Sequence, residues 1–150
     1  MKSLGRLLVC LFLMLSAAGV AAAEPDPATA VVLVASPGFP LPDTLSVSEL
    51  RRLFLGIPVY RGREVLTPLI NASDKDLYQA FLQKVMFMSE ANYQRQLVMR
   101  VFRRGGKRPE VFRDPRKLAQ AMMVAPLNIT FMTREQVKQL KNVKVVQPLW

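Results

Sequence analysis

The hydrophobic pattern along the chain changes period repeatedly, and each change marks an element. Ala30 to Ala35, AVVLVA, is a continuous apolar, β-branched run, which reads as a strand buried on both faces. Ser36 to Thr44 holds three prolines and a glycine and reads as a loop. Ser46-Val-Ser-Glu49 has the form of a capping box. The helix it opens turns Leu50, Leu53 and Phe54 inward, ends at Gly56 and cannot continue through Pro58. Residues 59 to 64, VYRGRE, read as a turn around Gly62, and Val65 to Ile70 as a second strand.

The longest patterned stretch runs from Asn71 to Arg108: a loop, a capped helix, a break, a second helix and a basic glycine-containing loop. Leu77, Phe81, Val85 and Met88 form one stripe at helical spacing, widened by Tyr78 and Leu82, and Ser73 to Asp76 before it has a capping form. Ser89 caps the second helix, whose Tyr93, Leu97, Val98, Val101 and Phe102 form another apolar face; the pair reads as a helical hairpin packed on a sheet. Asp114-Pro115 then supplies an N-cap and a first-turn proline for a helix to about Met123, which Pro126 stops. Asn128 to Met132 is a third strand. Thr133 to Gln136 is a second capping box opening a short helix to about Leu140, and Val143 to Val146 is a fourth strand before a terminal Trp150 expected to plug the core. Strands separated by helices predict an α/β domain: a mostly parallel sheet flanked by helices.

The N-terminus has a different pattern. Lys2 and Arg6 precede an apolar core from Leu7 to Val20 and the small residues Ala21-Ala22-Ala23, the form of a cleavable signal peptide over residues 1–23. The run is short for a membrane anchor. Cys10 lies inside the apolar core, upstream of the cleavage region, and would leave with the peptide. Residues 24–29 form a polar, proline-containing flexible leader, and residues 30–150 the domain. This organisation predicts a periplasmic protein.

Removing 23 of 150 residues leaves 127, enough for one compact domain, with neither cysteine nor histidine. That excludes disulfides, thiol- or histidine-based nucleophilic catalysis and the common zinc sites, and no paired-carboxylate motif points to an enzyme. No cofactor is called for. Without Lys2 and Arg6 the chain keeps 19 basic against 11 acidic residues, a charge of +8. Behind a signal peptide this points away from nucleic acid and toward small anions, anionic lipid, cell-wall polymers or an acidic protein surface, or to a basic face that is merely solvated. Asn71-Ala-Ser73 and Asn128-Ile-Thr130 match the glycosylation sequon, with Asn128 expected in a buried strand.

The stretch LSVSELRRLFLG, the strand and helix after it with Phe81, Val85, Met88 and Ser89, then Phe102, Gly106 and Pro109, and finally Pro126 and Ile129, together resemble a known family. It is the small single-domain members of the PstS-like group of periplasmic phosphate-binding proteins. The resemblance runs from about Val31 to the C-terminus. It implies a single periplasmic-binding-protein-like lobe, a place beside an ABC transporter and a small oxyanion such as phosphate as ligand. Candidate contacts are Asn71, Ser73 and Lys75 in the loop before the long helix, and Arg103, Arg104, Gly105, Gly106 and Lys107 in the basic loop, where donors around two glycines would form an anion nest.

The chain also departs from that pattern. Asp74 and Asp76 stand at the helix start where phosphate-binding relatives carry Gly and Ser, and carboxylates there complement the helix dipole themselves and repel phosphate. Leu127 and Thr130 stand where glycines are usual. A second function therefore stands beside the first: an accessory or protein-interaction module, with a periplasmic or inner-membrane protein as partner, that kept the fold and lost the ligand. Its surface would be the cluster Arg100, Arg103, Arg104, Lys107, Arg108, Arg113, Arg116 and Lys117. The signal-peptide reading predicts that mass spectrometry of the exported protein finds Glu24 at its N-terminus; a mature chain retaining Cys10 would contradict it.

Overall fold

The computed structural model describes residues 29–40 and 44–150; the expected signal peptide with Cys10, and the expected leader up to Ala28, lie outside the described residues. The elements in order are β1 (Val31–Ala35), α1 (Val47–Phe54), β2 (Tyr60–Arg61), β3 (Glu64–Val65), β4 (Thr67–Asn71), α2 (Lys75–Phe81) running into a π-helical turn (Leu82–Met86), α3 (Glu90–Arg104), β5 (Glu110–Phe112), α4 (Pro115–Val124), β6 (Asn128–Thr133), α5 (Arg134–Gln139) and β7 (Lys144–Pro148). Five strands form the main sheet in the order β5-β4-β6-β1-β7, and β2 with β3 forms a separate hairpin.

The sheet is mixed: most of its strands are parallel to one another, as expected, and one is reversed. β4 pairs parallel with both β5 and β6, while β1 is antiparallel to both β6 and β7. Four strands therefore point one way, and β1 alone runs against them. The helical crossovers that link β4, β5, β6 and β7 demand parallel strands. β1 opens the sheet, has no such crossover to a neighbour, and inserts between β6 and β7.

β1 is buried along its whole length, and its alternation divides the core in two. Val31, Leu33 and Ala35 face a layer built from α1, α2 and α3. Val32 and Val34 face Leu118 and Met122 of α4, with Val137 and Leu140 at its border. The first layer centres on three rings. Phe81 stacks on Phe131 with centroids 3.8 Å apart and planes at 3°, and Phe54 meets Phe81 edge-on at 4.8 Å. Tyr93 of α3 is fully buried beside them and donates its hydroxyl proton to Phe54 O at 2.5 Å. Burial, and secondarily Tyr78, pushes the Tyr93 phenol far up, so it remains a donor over the whole working pH range.

Local signals account for the element ends. Both capping boxes form, Ser46 with Glu49 and Thr133 with Gln136. The Ser46 backbone N–H, its hydroxyl and Arg61 together hold the Glu49 carboxyl below its ordinary range; Arg61, 3.1 Å from Glu49, ties the β2–β3 hairpin to α1. Gly56 has φ +72, and a Cβ there would come 3.0 Å from Lys107 O, so the α1 exit and the basic loop approach through a glycine. Gln147 holds the loop after β1 by accepting from Leu45 N at 2.6 Å and donating to Leu45 O at 2.9 Å. Trp150 packs on the first core layer as expected, with Lys84 Nζ 5.2 Å from its ring.

Three expectations change. The π turn widens the end of α2, so Met86 is fully buried while Met88 is only half-buried; the inward pairs 77/78, 81/82 and 85/86 recur every fourth residue. β5, three residues between Pro109 and Asp114, is too short to show a period and was not expected. The apolar face of α3 is buried only at Tyr93 and Leu97; Val98, Val101 and Phe102 lie in solvent.

Phe81→Ala is expected to lower stability by about 3–5 kcal/mol, since it removes a buried ring packed on both Phe54 and Phe131; an unchanged urea midpoint would refute this core. Tyr93→Phe leaves Phe54 O without its partner and is expected to lower stability by about 1–3 kcal/mol in the same measurement.

Candidate functional site

The loop after β4 begins at Asn71, which lies at the C-terminal end of its strand and pairs with Phe112 at the end of β5. Asn71 is buried, and its amide is fully engaged. Nδ2 donates to Phe131 O at 3.0 Å and to Gln136 Oε1 at 3.3 Å, while Oδ1 accepts from Ser73 N at 3.2 Å and Ser73 Oγ at 2.6 Å. The pair thus joins β4, β6 and α5. Beside it is a space of about 40 Å³, bounded by Leu118, Met132, Gln136 and Leu140, with room for a water and little more. Asn128 is buried too and donates to Ala121 O at 2.7 Å, so neither sequon asparagine is presented to solvent.

Ser73 is not the cap of α2, as its position in the sequence suggests. The N-cap is Asp74, whose carboxylate accepts from Asp76 N at 2.9 Å and Leu77 N at 3.1 Å. These are the free backbone donors that an oxyanion would need at a helix N-terminus. Ser73 is drawn instead to Asn71 because a buried amide oxygen must find donors. Lys75 stands exposed in the first turn of α2. The first group of candidate residues is therefore together in space, with its anion-binding donors occupied by the chain itself.

The second group lies elsewhere. Arg103 and Arg104 end α3, and Gly105 to Pro109 lead into the N-terminal end of β5. Because β4 and β5 are parallel with Leu69 opposite Glu110, this loop lies at the opposite end of the strands from Asn71 and Ser73. The two loops do not converge on one ligand. Nor does the glycine pair form the expected nest, which needs adjacent right- and left-handed helical residues. Gly105, at φ 64 and ψ −174, lies outside the left-handed helical region, and its N–H is donated to Val101 O at 3.1 Å. Arg103, Arg104, Gly105, Gly106 and Lys107 are all exposed.

A space of about 370 Å³ also lies at this N-terminal end. Leu53, Pro58, Val65 and Leu66 wall it, and Lys107 and Arg108 line it with Glu110. Nothing local in the sequence signals it, because it arises where the α1 exit, the hairpin and the basic loop meet. Ligands of open α/β sheets sit outside the carboxyl ends of the strands, which is the other side of this molecule. No group of three or more acidic, Cys or His side chains able to hold a metal occurs among the described residues.

No family model matches the sequence. No curated protein matches it either. Among solved structures, the chain is similar to an ABC-type phosphate transport receptor from Vibrio cholerae, with a TM-score of 0.57 and 12% identity over 79% of this chain and 45% of that chain. The chain thus spans less than half the length of that receptor. The likeness shows the fold: a single α/β domain with a five-stranded mixed sheet flanked by helices, resembling one lobe of a periplasmic binding protein.

Proposed function

We propose that the chain is an exported accessory module that retains a binding-protein lobe, does not take up phosphate, and works through its surface. One observation carries this reading. The Asp74 carboxylate sits on the backbone donors of α2, at 2.9 and 3.1 Å, where an oxyanion would be held. A phosphate arriving there would have to displace an internal carboxylate and remain beside Asp76, an arrangement opposed by like charge. The mutual satisfaction of Asn71 and Ser73 supports the same reading, as does the separation of the basic loop from the helix start. The similarity to a phosphate transport receptor raises phosphate as the ligand to test first.

Calorimetric titration of the mature protein with phosphate, sulfate and nucleotides is expected to show no saturable binding below millimolar concentrations. Micromolar phosphate binding that survives moderate salt, and that Arg103→Ala/Arg104→Ala abolishes, would restore the receptor reading. Asp74→Ala is expected to lower stability by about 1 kcal/mol, the usual worth of an N-cap. A stability unchanged within error would show that Asp74 does not hold those donors.

A further inference from the structure

The last two turns of α3 carry their apolar side chains outward. Tyr93 and Leu97 are buried, and every residue from Val98 to Arg108 is exposed except half-buried Arg100. At 3.6 residues per turn, Val98, Met99 and Phe102 fall on the side opposite Tyr93 and Leu97. Phe102, at 86% exposure, is the apex. A surface helix normally turns its apolar stripe to the core, so a cluster of this kind marks a surface that meets something else.

The charge around the apex has one sign. Arg95 and Arg103 flank Phe102 on the helix, Arg100, Arg104, Lys107 and Arg108 make the rest of the helix end basic, and no Asp or Glu occurs from Ala91 to Pro109. The sole ion pair among the described residues, Arg61 with Glu49, lies outside this segment. We infer that the projecting end of α3 and the Gly105–Arg108 turn dock on the surface of an anionic lipid bilayer. Val98, Met99 and Phe102 enter the boundary between headgroups and acyl chains, and the cations lie among the lipid phosphates.

Three features select a bilayer over other occupants. A second copy of the chain would bring the same cations against these, and like charges oppose it. An acidic protein surface would match the charge but leaves unexplained the apolar group at the apex, Phe102 at 86% exposure with Val98 and Met99 beside it. The patch's apolar residues, Phe102 foremost, stand exposed among long cationic side chains, whose stems can lie along the apolar boundary while their heads reach phosphate, the arrangement of an interfacial amphipathic helix. No helix among the described residues is long and apolar enough to cross a membrane, so the contact is peripheral.

This inference rests on the reading that the lobe works through its surface, but its test is separate from the phosphate titration. Mature protein is co-sedimented with vesicles of phosphatidylcholine alone and of phosphatidylcholine with about one third phosphatidylglycerol, at low and moderate salt. Binding is expected only to the anionic vesicles and should weaken as salt screens the charges. At roughly fivefold per cation facing the surface, Arg103→Ala/Arg104→Ala should lower partition about 30-fold. Phe102→Ala should lower it about tenfold, from loss of apolar insertion. Met123→Ala/Val124→Ala, which trims exposed apolar residues on α4, should leave it unchanged, and thermal unfolding should show all variants folded.

Equal binding to both vesicle types, binding to neither, or retention of binding in the Arg103/Arg104 and Phe102 variants overturns the inference. So does full competition by millimolar inorganic phosphate at constant ionic strength, which would assign the cations to a free oxyanion. Equally tight binding to polyglutamate, unaffected by Phe102→Ala, would assign them to an acidic protein and overturn it as well.

Discussion

The whole domain depends on covering β1 from both sides. Five residues with no polar side chain, Val31 to Ala35, are buried on both faces, and the strand is hydrogen-bonded to a neighbour on each edge. A strand in that position fixes a three-layer arrangement, since each face needs its own helices. α1, α2 and α3 cover Val31, Leu33 and Ala35, while α4 and α5 cover Val32 and Val34. A slip of one residue would exchange the two sets of side chains, so the register is held by the difference between the layers. One layer is large and aromatic; the other is built from aliphatic residues and methionine.

Helix capping and anion binding compete for the same atoms. The free N–H groups at the start of α2 can be satisfied by a ligand or by a side chain, and here Asp74 satisfies them. A fold shared with a phosphate transport receptor is therefore compatible with a different use, because the fold supplies the helix N-terminus while a few loop residues decide what meets it. Asn71 belongs to the same logic. Its amide joins β4, β6 and α5, so a residue that looks like a ligand contact from its place in the loop is structural.

The basic segment is organised by the opposite constraint. α3 leaves the core after Leu97, and Gly105, with φ 64, lets the chain turn sharply toward β5. Beyond Leu97 the residues of the helix are exposed except for half-buried Arg100, and the end of the helix meets the domain at Leu55 and Gly56. The result is an apex whose chemistry is directed entirely outward.

Much of the fold was legible in the sequence. The apolar run of β1, two capping boxes, the Pro115 start of α4 and the left-handed exit at Gly56 are local signals, because each depends on residues within one turn of one another. The competition at the start of α2 was legible from Asp74 and Asp76 for the same reason. The direction of β1, the existence of β5, and the face on which α3 leaves the core were not, since pairing and burial depend on residues far apart in the chain. Val98 and Phe102 read as one apolar face with Tyr93 and Leu97, yet at 3.6 residues per turn they lie on the other side of the helix, and apolar spacing does not say whether anything covers a face. The separation of the two candidate loops was likewise decided by the parallel register of β4 and β5, which puts Asn71 at one end of the sheet and Gly105 to Pro109 at the other. Sequence determined which segments could be helix, strand or cap; tertiary structure decided which of their faces were covered and which charges were left to meet a partner, because burial is a property of two surfaces and a sequence pattern describes only one.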